Sequence, residues 1–120
     1  MKSKLLAVGV VLAGLMWQSA PAQGAQENIT VSNTSHSLGD GRWDWTVFVK
    51  AAAPVLAKIQ CVEYTLHPSF PNPIRKVCTR GKDAQAFALS TNGWGTFVLK
   101  IRVIYLDKSE QQLQYNLQLK

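Results

Sequence analysis

Few residues in this chain of 120 could carry catalytic chemistry. It has two histidines, His36 and His67, and two cysteines, Cys61 and Cys78. Ser69 follows His67 by two residues, but no obvious acidic residue accompanies the pair to orient the histidine. The sequence also lacks a cluster with metal-ligand spacing, a phosphate-binding glycine loop and a nucleophile-elbow serine. We therefore predict a protein that is not an enzyme and that uses no cofactor and no metal.

The N-terminal residues predict export. Two lysines within the first four residues precede an apolar run from Leu5 to Met16, and the small residues Ala20-Pro21-Ala22 follow it. This order is typical of a secretory signal peptide. We predict that residues 1–22 are the signal and that residues 23–120 are the mature domain, located in the bacterial periplasm or outside the cell. The apolar run is shorter than the roughly 20 residues of a membrane span, so no membrane insertion is expected after cleavage.

The charge of the chain gives little indication of a partner. The formal net charge is +6, and two of the lysines lie in the predicted signal. A partial basic cluster is formed by Arg75, Lys76, Arg80 and Lys82. Such a cluster is more typical of a solvated loop than of a nucleic-acid interface, so nucleic acid is not an expected partner. The sequence leaves the oligomeric state open.

An exported protein with two cysteines is expected to join them in a disulfide. The spacing fits an antiparallel hairpin, because one register places several complementary residues opposite each other. The pairs in that register are Leu66 with Pro73, Glu63 with Lys76, Val62 with Val77, and Cys61 with Cys78. Two free buried thiols are the alternative.

Alternation of apolar and polar residues dominates the rest of the chain and predicts β-strands. The alternating segments are residues 29–31, 43–49, 56–66, 74–78, 84–90, 97–105 and 113–119. Turn signals separate them, among them Gly39-Asp40-Gly41, Pro68 to Pro73, Asn92-Gly93 and Asp107 to Glu110. We predict an all-β fold, an immunoglobulin-like β-sandwich of seven to eight antiparallel strands.

Two loops carry the residues best suited to bind a ligand. In Leu66–Pro73, prolines stiffen the backbone that holds His67, Ser69 and Phe70. In Asn92–Phe97, Gly93 and Gly95 flank Trp94, so that backbone N–H groups are presented beside a large indole face. Aromatic walls, a hydroxyl group and a free backbone donor predict a small binding pocket.

The same segments resemble the YEATS domain family, most closely its prokaryotic branch. The resemblance rests on VEYTLHPSF at residues 62–70, NPIR at 72–75, GWGTF at 93–97 and WDWTVFV at 43–49. It extends from about Trp43 to Asp107, which is nearly the whole mature domain. The resemblance implies an immunoglobulin-like sandwich whose loop end recognises acylated lysine.

The resemblance also implies a role for each matching residue. Ser69 would bond the acyl amide and His67 would orient the serine loop. Phe70 and Trp94 would form aromatic walls, and a backbone N–H near Trp94, between Gly93 and Gly95, would donate to the acyl carbonyl. The family places a further aromatic residue just before its Asp-Trp pair, where this chain has Gly41-Arg42-Trp43. Either Trp43 substitutes for that wall or the wall is missing.

A structural explanation of these loops competes with the pocket. His67, Ser69 and Phe70 would then cap a hairpin, and Trp94 would be part of the core. The protein would be a structural or protein–protein interaction module of the cell envelope that binds another envelope protein through an exposed strand edge. Exposure separates the two hypotheses, because a pocket requires open faces of Phe70 and Trp94. The sequence does not identify the ligand, which could be an acylated lysine or another acyl amide.

Overall fold

The computed structural model describes residues 27–120. The predicted signal peptide therefore lies outside the described residues. Within residues 27–120, no helix has the length and apolar character needed to cross a membrane. These residues form seven β-strands, a single turn of α-helix and a short 3-10 turn. The prediction of an all-β fold is confirmed.

The seven strands are arranged in two antiparallel sheets. They are β1 (Thr30–Gly39), β2 (Arg42–Lys50), β3 (Ile59–Thr65), β4 (Ile74–Val77), β5 (Ala86–Trp94), β6 (Val98–Tyr105) and β7 (Glu110–Asn116). One sheet has the order β1-β2-β5 and the other has the order β4-β3-β6-β7. The two sheets form the predicted sandwich.

The core lies between the sheets and is formed by the apolar half of each alternating pattern. In β2, Trp45, Val47 and Val49 are at most 2% exposed. The facing residues of the other sheet are equally buried: Val62, Tyr64, Leu99, Ile101 and Val103. Burial of one such side chain contributes about 1.5 to 3 kcal/mol, so these faces fix which side of each strand points inward.

The β3–β4 hairpin has the predicted register. Its pairs are Val62 with Val77, Glu63 with Lys76, Tyr64 with Arg75, and Thr65 with Ile74. The N–H of Leu66 donates to the carbonyl oxygen of Pro73 at 2.7 Å, which closes the strand end next to the loop. A disulfide joins Cys61 and Cys78, whose Cα atoms are 4.1 Å apart. The hairpin is thus fixed at one end by a covalent bond and at the other by the start of the loop.

The structure corrects the predicted start of two strands. Leu56 belongs to a helical turn, α1 (Ala53–Leu56), and not to β3. Pro54 lies at the start of this turn, where its fixed φ angle and missing N–H favour a helix. Leu56 is 1% exposed, so an apolar residue there reflects burial and not strand geometry. Similarly, a 3-10 turn (Asp83–Gln85) precedes β5, which was predicted to begin at residue 84.

The structure also corrects the predicted turn at Asn92-Gly93. These residues are part of β5, which pairs with β2 as far as Trp94, opposite Arg42. The chain bends at Gly95, whose φ of +62° is a conformation that favours glycine. Trp94 is therefore held at the end of a strand and not in the predicted loop.

A buried hydrogen bond connects the two sheets. The Tyr64 hydroxyl group, on β3, donates to the carbonyl oxygen of Phe87, on β5, at 2.6 Å. Phe87 has a φ of +50° beside an irregularity in the β2–β5 pairing, and its N–H donates to the carbonyl of Arg80. Burial raises the pKa of Tyr64 well above its usual value. The phenol therefore stays protonated and keeps β5 in place against the other sheet.

Candidate functional site

The loop between β3 and β4 begins with a tight turn. The N–H of Phe70 donates to the carbonyl of His67 at 3.0 Å, which closes a four-residue β-turn. Pro68 occupies the second position of this turn, where its fixed φ is favoured. The turn presents His67 and Ser69 to solvent and directs Phe70 toward the protein.

Arg75 fixes the second half of the same loop. Its guanidinium donates from Nε to the carbonyl oxygen of Asn72 at 2.6 Å and from Nη2 to that of Pro71 at 2.8 Å. Asn72 has a φ of +48°, so the chain reverses sharply at this point. Since both halves of the loop are held, little conformational entropy remains to be lost when a ligand binds.

His67 and Ser69 form a hydrogen-bonded pair. Nδ1 of His67 accepts from the N–H of Ser69 at 3.1 Å and lies 2.8 Å from its Oγ. A ring nitrogen that accepts from a backbone N–H carries no proton, so the hydroxyl group is the donor in the second contact. The lone pairs of Ser69 Oγ then remain free to accept a hydrogen bond from a ligand N–H.

Phe70 packs directly on the backbone of β5. A Cβ atom placed on Gly93 would lie 2.9 Å from Cζ of Phe70, closer than carbon atoms normally approach. The ring also contacts Phe97 and the buried Trp45, with centroids 5.5 and 6.3 Å away. Phe70 is half-buried and held on several sides, so it forms a fixed wall.

Trp94 is the second aromatic side chain at this end of the domain and remains open. It is 65% exposed, although it is one of the largest apolar side chains in the protein. Gly41 lies under the indole, where a Cβ atom would be 3.6 Å from Cε3, and the guanidinium of Arg42 lies 5.7 Å from the ring centroid. The exposure of Trp94 and the partial exposure of Phe70 agree with the pocket hypothesis and disagree with a filled loop end.

A cavity of about 270 Å³ opens between the two walls. Its lining residues come from β2, the β3–β4 loop and β5: Arg42, Ser69, Phe70, Pro71, Asn92, Gly93 and Trp94. Four of them, Ser69, Phe70, Gly93 and Trp94, were predicted from the sequence. His67 does not line the cavity, but it holds the Ser69 hydroxyl group there.

Gly95 follows Trp94 directly and is exposed at the same end of the sandwich. Among residues 27–120, no main-chain hydrogen bond of the loops uses the N–H of Gly95. Gly95 is not among the residues that line the cavity, so the role of a backbone N–H near Trp94 stays a prediction.

The structure does not place Trp43 at the cavity. Trp43 is half-buried, packs against the hydrophobic core and pairs with Gly93 across the β2–β5 ladder. Successive side chains of a strand point to opposite faces, so Trp43 follows Trp45 inward while Arg42 points to the cavity side. Sequence reasoning missed Arg42, although the same alternation along β2 contains the signal that identifies it.

A second and larger cavity, of about 330 Å³, lies at the opposite end of the sandwich. Its polar groups already have partners, since Lys58 forms an ion pair with Glu27 at 2.6 Å. Asp107 is bonded to the side chain and the N–H of Ser109, which lowers the pKa of that carboxyl group. The cavity at Ser69 has the better arrangement for a ligand, because it combines two aromatic walls with a free acceptor.

The fold and the candidate site together define an immunoglobulin-like domain with a cavity at its loop end. The family model of the prokaryotic YEATS domain matches residues 43–118. The chain belongs to the prokaryotic YEATS domain family.

Fungal proteins are among the relatives of this chain. It is 30% identical over 96 residues to the Protein AF-9 homolog of Eremothecium gossypii, a match that covers 71% of this chain and 44% of the relative. It is 31% identical over 96 residues to that of Kluyveromyces lactis, covering 71% of this chain and 41% of the relative. The chain thus spans less than half the length of these curated relatives.

Solved structures share the fold. The yeast AF-9 homolog protein Yaf9 superposes with a TM-score of 0.66 at 24% identity, covering 80% of this chain and 73% of the other. The Yaf9 YEATS domain bound to H3K27ac superposes with a TM-score of 0.61 at 21% identity, covering 82% and 80%. At these identities the likeness establishes the architecture of the domain.

Proposed function

We propose that this domain is a non-catalytic reader that binds acylated lysine, or a closely related acyl amide, in the cavity at Ser69. The observation that carries the proposal is a cavity lined by one free acceptor and two aromatic side chains. Ser69 Oγ is oriented by His67 at 2.8 Å, and Phe70 and Trp94 line the same cavity. An acylated lysine offers an amide N–H for the serine and a flat acyl group for the space between the rings.

For the acyl carbonyl we propose the N–H of Gly95 as the donor, since Gly95 is exposed next to Trp94 at the same end of the domain. Leaving an amide without partners costs about 1 to 3 kcal/mol, so the polar contacts supply selectivity for the acylated side chain. Aromatic contact supplies most of the affinity. Unmodified lysine would bring a strongly hydrated ammonium group next to the positive charge of Arg42, so we expect it to bind less well than the neutral acyl amide.

Two solved structures that share the fold support this type of ligand. They show the Yaf9 YEATS domain with H3K27ac and recognising H3K122suc; the second has a TM-score of 0.61 at 24% identity and covers 80% of this chain and 79% of the other. The likeness in fold does not transfer the histone partner. The sequence of residues 1–22 is instead the basis for proposing that the protein is exported and meets its ligand in the cell envelope.

An envelope interaction module is the second candidate, and exposed apolar side chains favour it. Leu38, Ile74 and Val98 are 44%, 60% and 49% exposed in addition to Trp94. A protein partner could cover such residues without using the cavity.

The experiment that separates the two functions is a titration of residues 23–120 with acetyl-lysine and unmodified peptides, followed by tryptophan fluorescence and calorimetry. We expect saturable binding of the acetylated peptide only, and a loss of about tenfold in affinity for Ser69→Ala. Ser90→Ala is the matched control, because this serine lies on β5 and pairs with Thr46. A folded domain that ignores every acylated peptide would leave the interaction module as the function.

A further inference from the structure

We propose that the cavity selects acyl groups that end in a carboxylate and that Arg42 is the residue that recognises this charge. The inference rests on the proposed function, since it concerns the far end of the same ligand. Arg42 is the one charged residue among those that line the cavity, and the others are Ser, Phe, Pro, Asn, Gly and Trp. A neutral acetyl group would offer no opposite charge to the guanidinium of Arg42.

The guanidinium of Arg42 has uncharged partners in the structure. Its Nη2 donates to Oδ1 of Asn92 at 2.9 Å, and its flat face lies 5.7 Å from the indole centroid of Trp94. Arginine has five N–H donors in a rigid plane, so donors remain for a second acceptor. A planar carboxylate is the acceptor that matches this fork.

Nearby carboxylates do not neutralise Arg42. Asp44 lies two residues further along β2, on the same face, and Asp40 lies in the turn that precedes the strand. Neither forms an ion pair with Arg42, and the ion pairs within residues 27–120 involve other arginines or Lys58. Arg42 is also half-buried, so an anion that reaches it is less screened by water than at an open surface.

Ser69 and Arg42 line the same cavity, together with Phe70 and Trp94. We infer that an acylated lysine places its amide at Ser69 and the far end of its acyl chain at Arg42. A short dicarboxylic acyl group, such as succinyl or glutaryl, carries its carboxylate at the end of that chain.

The test compares a succinyl-lysine peptide with the same peptide in which the terminal carboxylate is replaced by its neutral amide. We expect the wild-type domain to bind the carboxylate about tenfold more tightly, because a charge-assisted hydrogen bond is gained. The ratio of the two affinities, carboxylate over neutral amide, should fall as salt is added. Arg42→Gln should bring the ratio close to one, and Arg42→Lys should retain part of it, since the charge stays but the planar fork is lost.

Lys100→Gln is the matched control. It removes the same charge from an exposed position on β6 that does not line this cavity, so the ratio should remain. A third peptide carries acetyl-lysine beside a glutamate and is compared with the acetyl-lysine peptide that lacks the glutamate. If the glutamate raises the affinity as much as the succinyl carboxylate does, the recognised carboxylate does not need to be on the acyl group, and the proposal is overturned.

The wild-type domain could also bind acetyl-lysine and yet bind the succinyl peptide and its neutral-amide counterpart with equal affinity. That result would overturn the proposed role of Arg42, while the reader function would stand. Absence of binding to every acylated peptide would instead refute the reader function itself.

Discussion

Replacing Gly93 with alanine should damage the ligand site by moving one of its walls. The new Cβ would lie 2.9 Å from Cζ of Phe70, short of the usual carbon contact of about 3.5–4.0 Å by roughly 0.6–1.1 Å. Phe97 and Trp45 pack against the same ring, so the ring yields most readily into the cavity. Overpacking of this kind costs about 1 to 3 kcal/mol of folding free energy.

The expected result for Gly93→Ala is a lower Tm, by roughly 4–8 °C for each kcal/mol lost, together with at least a tenfold weaker affinity for an acetyl-lysine peptide. Differential scanning calorimetry and isothermal titration calorimetry measure the two effects separately. Gly81→Ala is the control, because Gly81 has a φ of +66° and open space around it, so alanine adds backbone strain without a clash. Wild-type affinity in Gly93→Ala would refute the assignment of Phe70 as a wall.

Three further predictions concern the fold. Tyr64→Phe should lower the free energy of unfolding by about 1 to 3 kcal/mol in a denaturant titration, because the buried carbonyl of Phe87 loses its donor, and an unchanged midpoint would refute that role. Reduction or replacement of the Cys61–Cys78 disulfide should cost about 3 kcal/mol in the chain-entropy model, and free-thiol labelling of the native protein without reductant would contradict the bond. Burial raises the pKa of Tyr64 well above its usual value and that of Tyr105 to about 12, so these two side chains should give no tyrosinate absorbance at pH 10, and stability should fall as pH rises from 10 to 12 because the unfolded chain releases its protons first.

The sheet architecture was predictable because burial and alternation act on the same residues. The alternating pattern along β6 and β2 indicated their inward faces. One register of the β3–β4 hairpin placed Cys61 opposite Cys78 and also set where the loop after β3 begins. The predicted strand start at Leu56 was wrong because a buried apolar residue looks the same in a strand and in a short helical turn. The predicted turn at Asn92-Gly93 was wrong because Gly93 serves a close contact with Phe70 and not a reversal of the chain.

Individual residues of the candidate site were predictable from the sequence, but the contacts that bring them together were not. Prolines indicated a stiff β3–β4 loop, the glycines beside Trp94 indicated a close backbone approach with presented N–H groups, and the resemblance indicated Ser69, Phe70 and Trp94. The pairing of β2 with β5, which brings Arg42 beside Trp94, depends on contacts between distant segments. For the same reason Trp43 was assigned to the site although it packs against the core.

We propose that an acylated lysine binds in the cavity lined by Phe70 and Trp94, with its amide on Ser69. The most direct test is to follow backbone amide and indole chemical shifts by NMR while an acetyl-lysine peptide is added to the isotope-labelled domain. We expect saturable shifts at Ser69, Gly93, Gly95 and the Trp94 indole, with none from the unmodified peptide. Shifts confined to an outer sheet edge, or the same shifts with unmodified lysine, would contradict it.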